Sequence, residues 1–251
     1  MAVMIGHASI DEKGKANSGA AGDQTGKEVC TRTWYNGSWH TVLRCKDEAK
    51  AEQMAQACEK ACANPNIGYD QYQRNTLRKL AQAVKFDLSK VGKCECDCSS
   101  LMTVCAECAD IEIPYTYENA PTTKTMASAF KSTGEFDVLT EARYLTSDKY
   151  LRRGDILIKS GHTVMVLEDG SDAKDAEIGT VIYSRVFDKE YKTTAELNLR
   201  VGAGTSMEKV TVMKKNSSVR CYGYYIISGG TKWLMVQYGK YMGFCSSNYL
   251  K

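Results

Sequence analysis

After residue 170 the chain changes style, and that change limits the folds open to it more than any other feature. Up to that point helical spacing dominates. Positions 47–63, 75–84, 98–109 and 122–131 read as helices, and two short runs rich in β-branched residues, 155–159 and 163–167, follow as strands. From about 190 onward the pattern is short strands divided by turns: Leu197 to Arg200, then Gly202-Ala203-Gly204-Thr205, then 210–213, 219–225, 233–238 and 243–245. The stretch between is polar, Ser171-Asp172-Ala173-Lys174-Asp175-Ala176-Glu177, and up to Tyr191 it supports a short strand at most, over 180–183. It predicts a linker over 171–190. Runs of helices before runs of strands predict an α+β domain with segregated layers over 1–170. Regular short strands over the remaining ~60 residues predict a small all-β barrel over 191–251.

Charge and hydropathy exclude some roles. Of the 251 residues 43% are apolar, enough for a sizeable core, and the formal charge is +3 with Lys and Arg scattered rather than blocked together. Such a balance does not argue for a nucleic-acid partner. No window approaches the ~18 apolar residues that a membrane span requires. Met1-Ala2-Val3-Met4-Ile5-Gly6-His7 lacks a basic segment followed by a long apolar one, so no secretory signal is expected.

The chemistry concentrates at Asp97-Cys98-Ser99-Ser100-Leu101 and, downstream, at Gly154-Asp155-Ile156-Leu157 and Gly161-His162-Thr163-Val164-Met165-Val166. Cys98 stands where an irregular polar loop, Lys93 to Asp97, gives way to a helix start, and a helix N-terminus favours an anion. A thiol used as a nucleophile needs an imidazole to hold its proton. Of the three histidines, His7, His40 and His162, the last heads a strand after a Ser160-Gly161 turn, a rigid support from which a base can face the thiol. Cys98 and His162 therefore read as nucleophile and base.

The eleven cysteines also invite a metal reading. Cys94, Cys96 and Cys98 alternate, however, and alternate residues of an extended segment face opposite sides. Leu101, Val104, Cys105 and Cys108 fall at helical spacing, as do Met54, Cys58, Ala61 and Cys62, so these thiols read as core. No structural zinc is expected, and the odd count suits mostly free thiols in a reducing compartment.

Asp-Cys-Ser-Ser-Leu, Arg-Gly-Asp-Ile-Leu and Gly-His-Thr-Val-Met-Val together resemble the NlpC-type papain-like peptidases of bacterial cell walls, with the CHAP amidohydrolases as near relatives. Gly68-Tyr69-Asp70-Gln71 with Arg74, and the N-terminal stretches Ile5 to Ser9, Gly22 to Val29 and Arg32 to Tyr35, resemble endolysins from phages of Gram-positive hosts. The resemblance implies a papain-like fold over 1–170, Cys98 as nucleophile, His162 as base and Tyr69 as a helper at the reacting carbonyl. In the family the tyrosine and cysteine are close in sequence, whereas here a helical segment intervenes. A polar residue normally orients the histidine from the following strand. Glu168, Asp169, Asp23 and Gln24 are unranked candidates, and Glu168-Asp169-Gly170 also reads as a turn.

Residues from about 190 onward are similar to bacterial SH3-type domains, in Leu197-Asn198-Leu199-Arg200-Val201-Gly202-Ala203-Gly204 and in Lys232 to Lys240 with Gly243-Phe244. The two resemblances imply a peptidoglycan hydrolase of a Gram-positive wall that cuts a stem-peptide or cross-bridge amide, or acts as an N-acetylmuramoyl-L-alanine amidase. They imply no cofactor and no metal at the site. Synthesis in the host cytoplasm and action on the wall after release are expected. A catalytically inert wall-binding protein is the alternative from another class.

Overall fold

The computed structural model describes residues 2–173, 181–205, 207–228 and 231–251. They divide into two compact units, Met1–Ser171 and Asp172–Lys251. Positions 174–180, which hold most of the expected linker's polar run and the start of the strand expected over 180–183, lie outside the described residues.

The first unit holds strands β1 (Met4–Ala8), β2 (Val29–Thr33) and β3 (Thr41–Cys45), helix α1 (Glu48–Ala63), strand β4 (Ile67–Tyr69), helix α2 (Thr76–Ala83), strand β5 (Cys94–Cys96) and helix α3 (Cys98–Glu107). Helix α4 (Met126–Ser132), strand β6 (Phe136–Leu139), helix α5 (Ala142–Leu145) and strands β7 (Ile156–Lys159) and β8 (His162–Val166) complete it. Six strands form one antiparallel sheet in the order β2-β1-β8-β7-β3-β6, while β4 and β5 make a separate parallel pair.

Two features depart from the sequence expectation. Three strands precede the first helix, so the sheet draws on both ends of the unit rather than on a late block of strands. The expected loop at Cys94–Cys96 is a strand buried at every position: β4 pairs along one edge and supplies backbone partners, and helices α2 and α3 pack against it.

Helix α1 begins where Asp47 accepts hydrogen bonds from the Ala49 and Lys50 amides, at 2.8 and 3.1 Å. Its buried face, Ala51, Met54, Ala55, Cys58 and Ala61, is small enough for close approach to the sheet. Two glycines record that approach. A Cβ at Gly6 would lie 2.5 Å from Cys58 Sγ, and one at Gly154, where φ is +89°, would lie 2.6 Å from the Ala51 carbonyl. Charged clamps hold the layers. Arg153 binds Glu52 and Glu59 of α1 and the Leu167 carbonyl, and Arg44 of β3 binds both oxygens of buried Asp155 at 2.9 and 2.7 Å. Leu43, Met54, Leu101, Met102, Met126 and Phe130 fill the core between helices and sheet.

The second unit is all β: β9 (Ile182–Tyr183), β10 (Glu190–Lys192), β11 (Leu197–Arg200), β12 (Lys209–Met213), β13 (Ser218–Ser228), β14 (Thr231–Tyr238) and β15 (Tyr241–Ser246). They pair in the order β10-β13-β14-β15-β11-β12, with β9 beside β13, and among the described residues no ladder joins β10 to β12. The pairing is thus a continuous open sheet rather than a closed barrel. Leu197, Leu199, Met213, Val219, Leu234 and Val236 alternate inward to make its core. Trp233 is buried with Ala203 and Ile226, whereas Tyr183, Tyr224, Tyr241 and Tyr249 are exposed.

Candidate active site

Cys98 is the first residue of α3. Asp97 caps that helix. Its carboxylate accepts from the Ser100 amide at 2.7 Å while the Ser100 hydroxyl accepts from the Asp97 amide at 2.8 Å, a reciprocal capping box. Arg74 fixes the cap from outside, with Nε and Nη2 on the Asp97 carboxylate at 2.7 and 3.2 Å, Nη2 on Ser99 Oγ at 2.8 Å, and further bonds to the Ala120 and Pro121 carbonyls. The arginine singled out after Gly68-Tyr69-Asp70-Gln71 is therefore a support for the cysteine's helix.

Helix α3 packs against β8, and the backbone amides of Thr163 and Ser99 favour the anionic form of Cys98. They do not prevail. Burial, reinforced by the neighbouring Asp97 charge, pushes the thiol up to about 12, so the anion-stabilising helix start expected from sequence is outweighed. His162 opens β8 after Gly161, whose φ of +76° makes the tight turn from β7. Burial and the positive surroundings of His7, Lys159 and Arg32 hold His162 down at about 4. Both groups are neutral at pH 7.

The residue that holds His162 is one the sequence reading did not choose. His162 Nε2 lies 3.3 Å from Nδ1 of His7, on β1, the strand hydrogen-bonded to β8. The rings meet edge to face, with centroids 5.4 Å apart. Trp39 lies over His162 at 6.4 Å, anchored by its indole N–H on the Tyr35 carbonyl at 2.9 Å. His7 is buried and, like its partner, held down at about 4, chiefly by burial.

None of the four candidate orienting residues touches that pair. Glu168 accepts from the Met4 amide and Asp169 from the Arg153 amide. Asp23 ties its own loop through the Thr25, Gly26 and Glu28 amides, and the Gln24 side chain donates to the Ala21 and Gly22 carbonyls. The available signal was a short apolar run at the chain's start ending in one of three histidines.

Tyr69, the last residue of β4, is buried, and its hydroxyl accepts from Gln71 Nε2 at 3.1 Å. Burial raises its phenol, and the nearby Cys98 adds to the shift, so the hydroxyl stays a donor beside the thiol. Asp155 of the Gly-Asp-Ile-Leu frame is structural, through Arg44. Among the described residues no group of three or more His, Cys, Asp or Glu side chains is arranged to hold a metal ion, and no helix is long and apolar enough to cross a membrane.

Thiol, imidazole and phenol are the group types that acyl transfer employs. In comparisons with known proteins, the family model of an endolysin-like domain matches residues 5–173. Neither a curated protein nor a solved structure matches the chain.

Proposed function

The chain belongs to the endolysin-like domain family, and from that premise we propose a peptidoglycan hydrolase that cleaves an amide bond of the stem peptide or cross-bridge through Cys98 and His162. Membership alone points to a phage-type cell-wall lytic protein. The observation that supports the thiol mechanism is the supported imidazole of His162 on the strand against which the Cys98 helix packs. As Cys98 Sγ attacks the carbonyl, neutral His162 takes the thiol proton. The tetrahedral oxyanion is met by the Cys98 amide, which lies outside the intrahelical ladder, with the Tyr69 hydroxyl as helper. His162 then returns the proton to the leaving amine, and water releases the thioester. The same groups serve an N-acetylmuramoyl-L-alanine amidase, which differs in the bond presented.

For residues 191–251 the proposed role is an SH3-type wall-binding domain that delivers a papain-like first domain to a Gram-positive wall. The exposed Tyr224, its ring centre 5.2 Å from that of Tyr183 just before the domain and tilted 57° to it, offers an aromatic face suited to recognition. Mass spectrometry of fragments from digested Gram-positive walls tests the hydrolase reading and identifies the bond. Cys98→Ala is expected to abolish release of new amino termini with the fold intact, a loss of several powers of ten. Retention of near-normal release by that variant would end the thiol mechanism.

A further inference from the structure

The hydrogen bonds that support His162 continue past His7. His7 meets His162 through Nδ1, and its other nitrogen, Nε2, lies 3.6 Å from Sγ of Cys30. Cys30 is the direct cross-strand partner of His7 in the β1–β2 ladder, which puts the two side chains on one face. The same sulfur lies 3.4 Å from the Lys27 carbonyl oxygen, which can only accept, so that contact calls for the thiol proton.

We propose that Cys30 is a positioning residue that sets the proton positions on both imidazoles and thereby leaves His162 with a bare nitrogen for the thiol. The inference deepens the hydrolase reading and rests on it for its catalytic meaning.

A neutral imidazole has one N–H and one lone pair, and burial keeps both rings neutral at pH 7. Burial also raises the Cys30 thiol, so it keeps its proton. With that proton committed to Lys27, the sulfur offers His7 only a lone pair. His7 must then carry its proton on Nε2, and its Nδ1 becomes an acceptor. His162 must donate from Nε2, which leaves Nδ1 unprotonated as the base. Were the S–H turned toward His7 instead, each proton would move to the opposite nitrogen and His162 would carry Nδ1–H, with no lone pair for the thiol. The Lys27 carbonyl selects the competent arrangement. A chain of this kind is the thiol and imidazole counterpart of a second partner fixing a histidine tautomer.

Histidine-selective 15N labelling of the full chain tests this, because three imidazoles are readily told apart. His40, bonded to Thr41 Oγ1 at 2.9 Å, is the internal control for folding. Wild type at pH 7 is expected to show His7 and His162 both as the Nε2–H form. Cys30→Ala is expected to turn both into tautomer mixtures with His40 unchanged, and to lower kcat on walls about 10- to 100-fold with little change in KM. Cys30→Ser, which keeps a donor and an acceptor, is expected to recover the wild-type spectrum and most of kcat. An Nδ1–H form of His162 in wild type, or Nε2–H forms retained in Cys30→Ala, would overturn the inference. If Cys30→Ala fails to fold, seen as a shifted His40 signal, the wild-type and Cys30→Ser spectra decide. The spectra need no substrate, so absence of wall cleavage by wild type would count against the hydrolase reading and leave the tautomer result standing.

Discussion

Replacing Arg74 by alanine removes the group that holds the Cys98 helix in place. The guanidinium makes five hydrogen bonds: two to Asp97 at 2.7 and 3.2 Å, one to Ser99 Oγ at 2.8 Å, and one each to the Ala120 and Pro121 carbonyls at 2.7 and 3.0 Å. Both side chains of the ion pair are only 10% exposed. Truncation therefore strands a carboxylate in a poorly solvated place. Breaking a buried pair by deleting one partner costs about 3–5 kcal/mol, against a total stability of about 5–15 kcal/mol. Urea unfolding of the full chain measures it. Trp34 and Trp39 lie in the first unit and Trp233 in the second, so a Trp233→Phe background isolates the relevant transition. The expected result is a loss in the 3–5 kcal/mol range cited above, with most of it recovered in Arg74→Met/Asp97→Asn, because asparagine still caps the helix and no charge is left unpaired. A loss below about 1 kcal/mol, the value of an exposed pair, or no recovery in the double variant, would refute the reasoning.

Three further outcomes are expected. Alkylation of Cys98 by iodoacetamide, followed on its own peptide, is expected to rise about tenfold per pH unit from pH 6 to 9 without a plateau, because burial puts the thiol at about 12; a plateau in that range would reveal a preformed thiolate. Glu95 is raised to about 8 by burial and by Glu28, with its Oε2 buried and, among the described residues, without a hydrogen-bond partner. Between the unfolded value of 4.5 and about 8 the folded chain binds more protons, so this group makes stability fall as pH rises through that window, and Glu95→Gln is expected to flatten the fall; an unchanged slope in urea titrations at several pH values would refute it. Residues 1–171, ending at the boundary of the first unit, are expected to fold alone and to lose more rate on intact cells than on a soluble muropeptide, since a second unit with the proposed wall-binding role would raise local concentration at the wall; equal losses on both substrates would remove the targeting role.

Elements whose apolar periodicity is long or clean were readable directly. Helix α1 occupies Glu48–Ala63 against an expected 47–63, with Asp47 as its cap, and β11 spans Leu197–Arg200 as its alternation indicated. The strands that escaped detection have patterns that their neighbours complete. In β2 the exposed Thr31, Arg32 and Thr33 look like loop, because both faces of this end of the edge strand are open to solvent. In β5 the buried sequence Cys-Glu-Cys looks polar, yet β4 supplies its ladder and Gly22 donates to the Glu95 carboxylate. Such segments have no periodicity of their own to read; the partner decides the structure.

The same limit explains the site. Cys98 and His162 sit in recognisable local frames, a capped helix start and a strand head after a glycine turn. The group that holds His162 has no such frame, because it lies 155 residues away in sequence and reaches the site through the pairing of β1 with β8. Glu168 and Asp169, which directly follow the His162 strand, accept from backbone amides instead. The identity of the partner has a chemical consequence. A carboxylate beside His162 would favour its protonated form and raise it. His7 supplies a hydrogen bond without a negative charge, so burial prevails and His162 is held down at about 4, while the Cys98 thiol keeps its proton through its own burial. In the proposed mechanism, charge separation would then be deferred to the moment of attack, when the developing oxyanion would meet the amide at the start of α3. The alkylation profile of Cys98 and the tautomer of His162 examine the two halves of that arrangement separately.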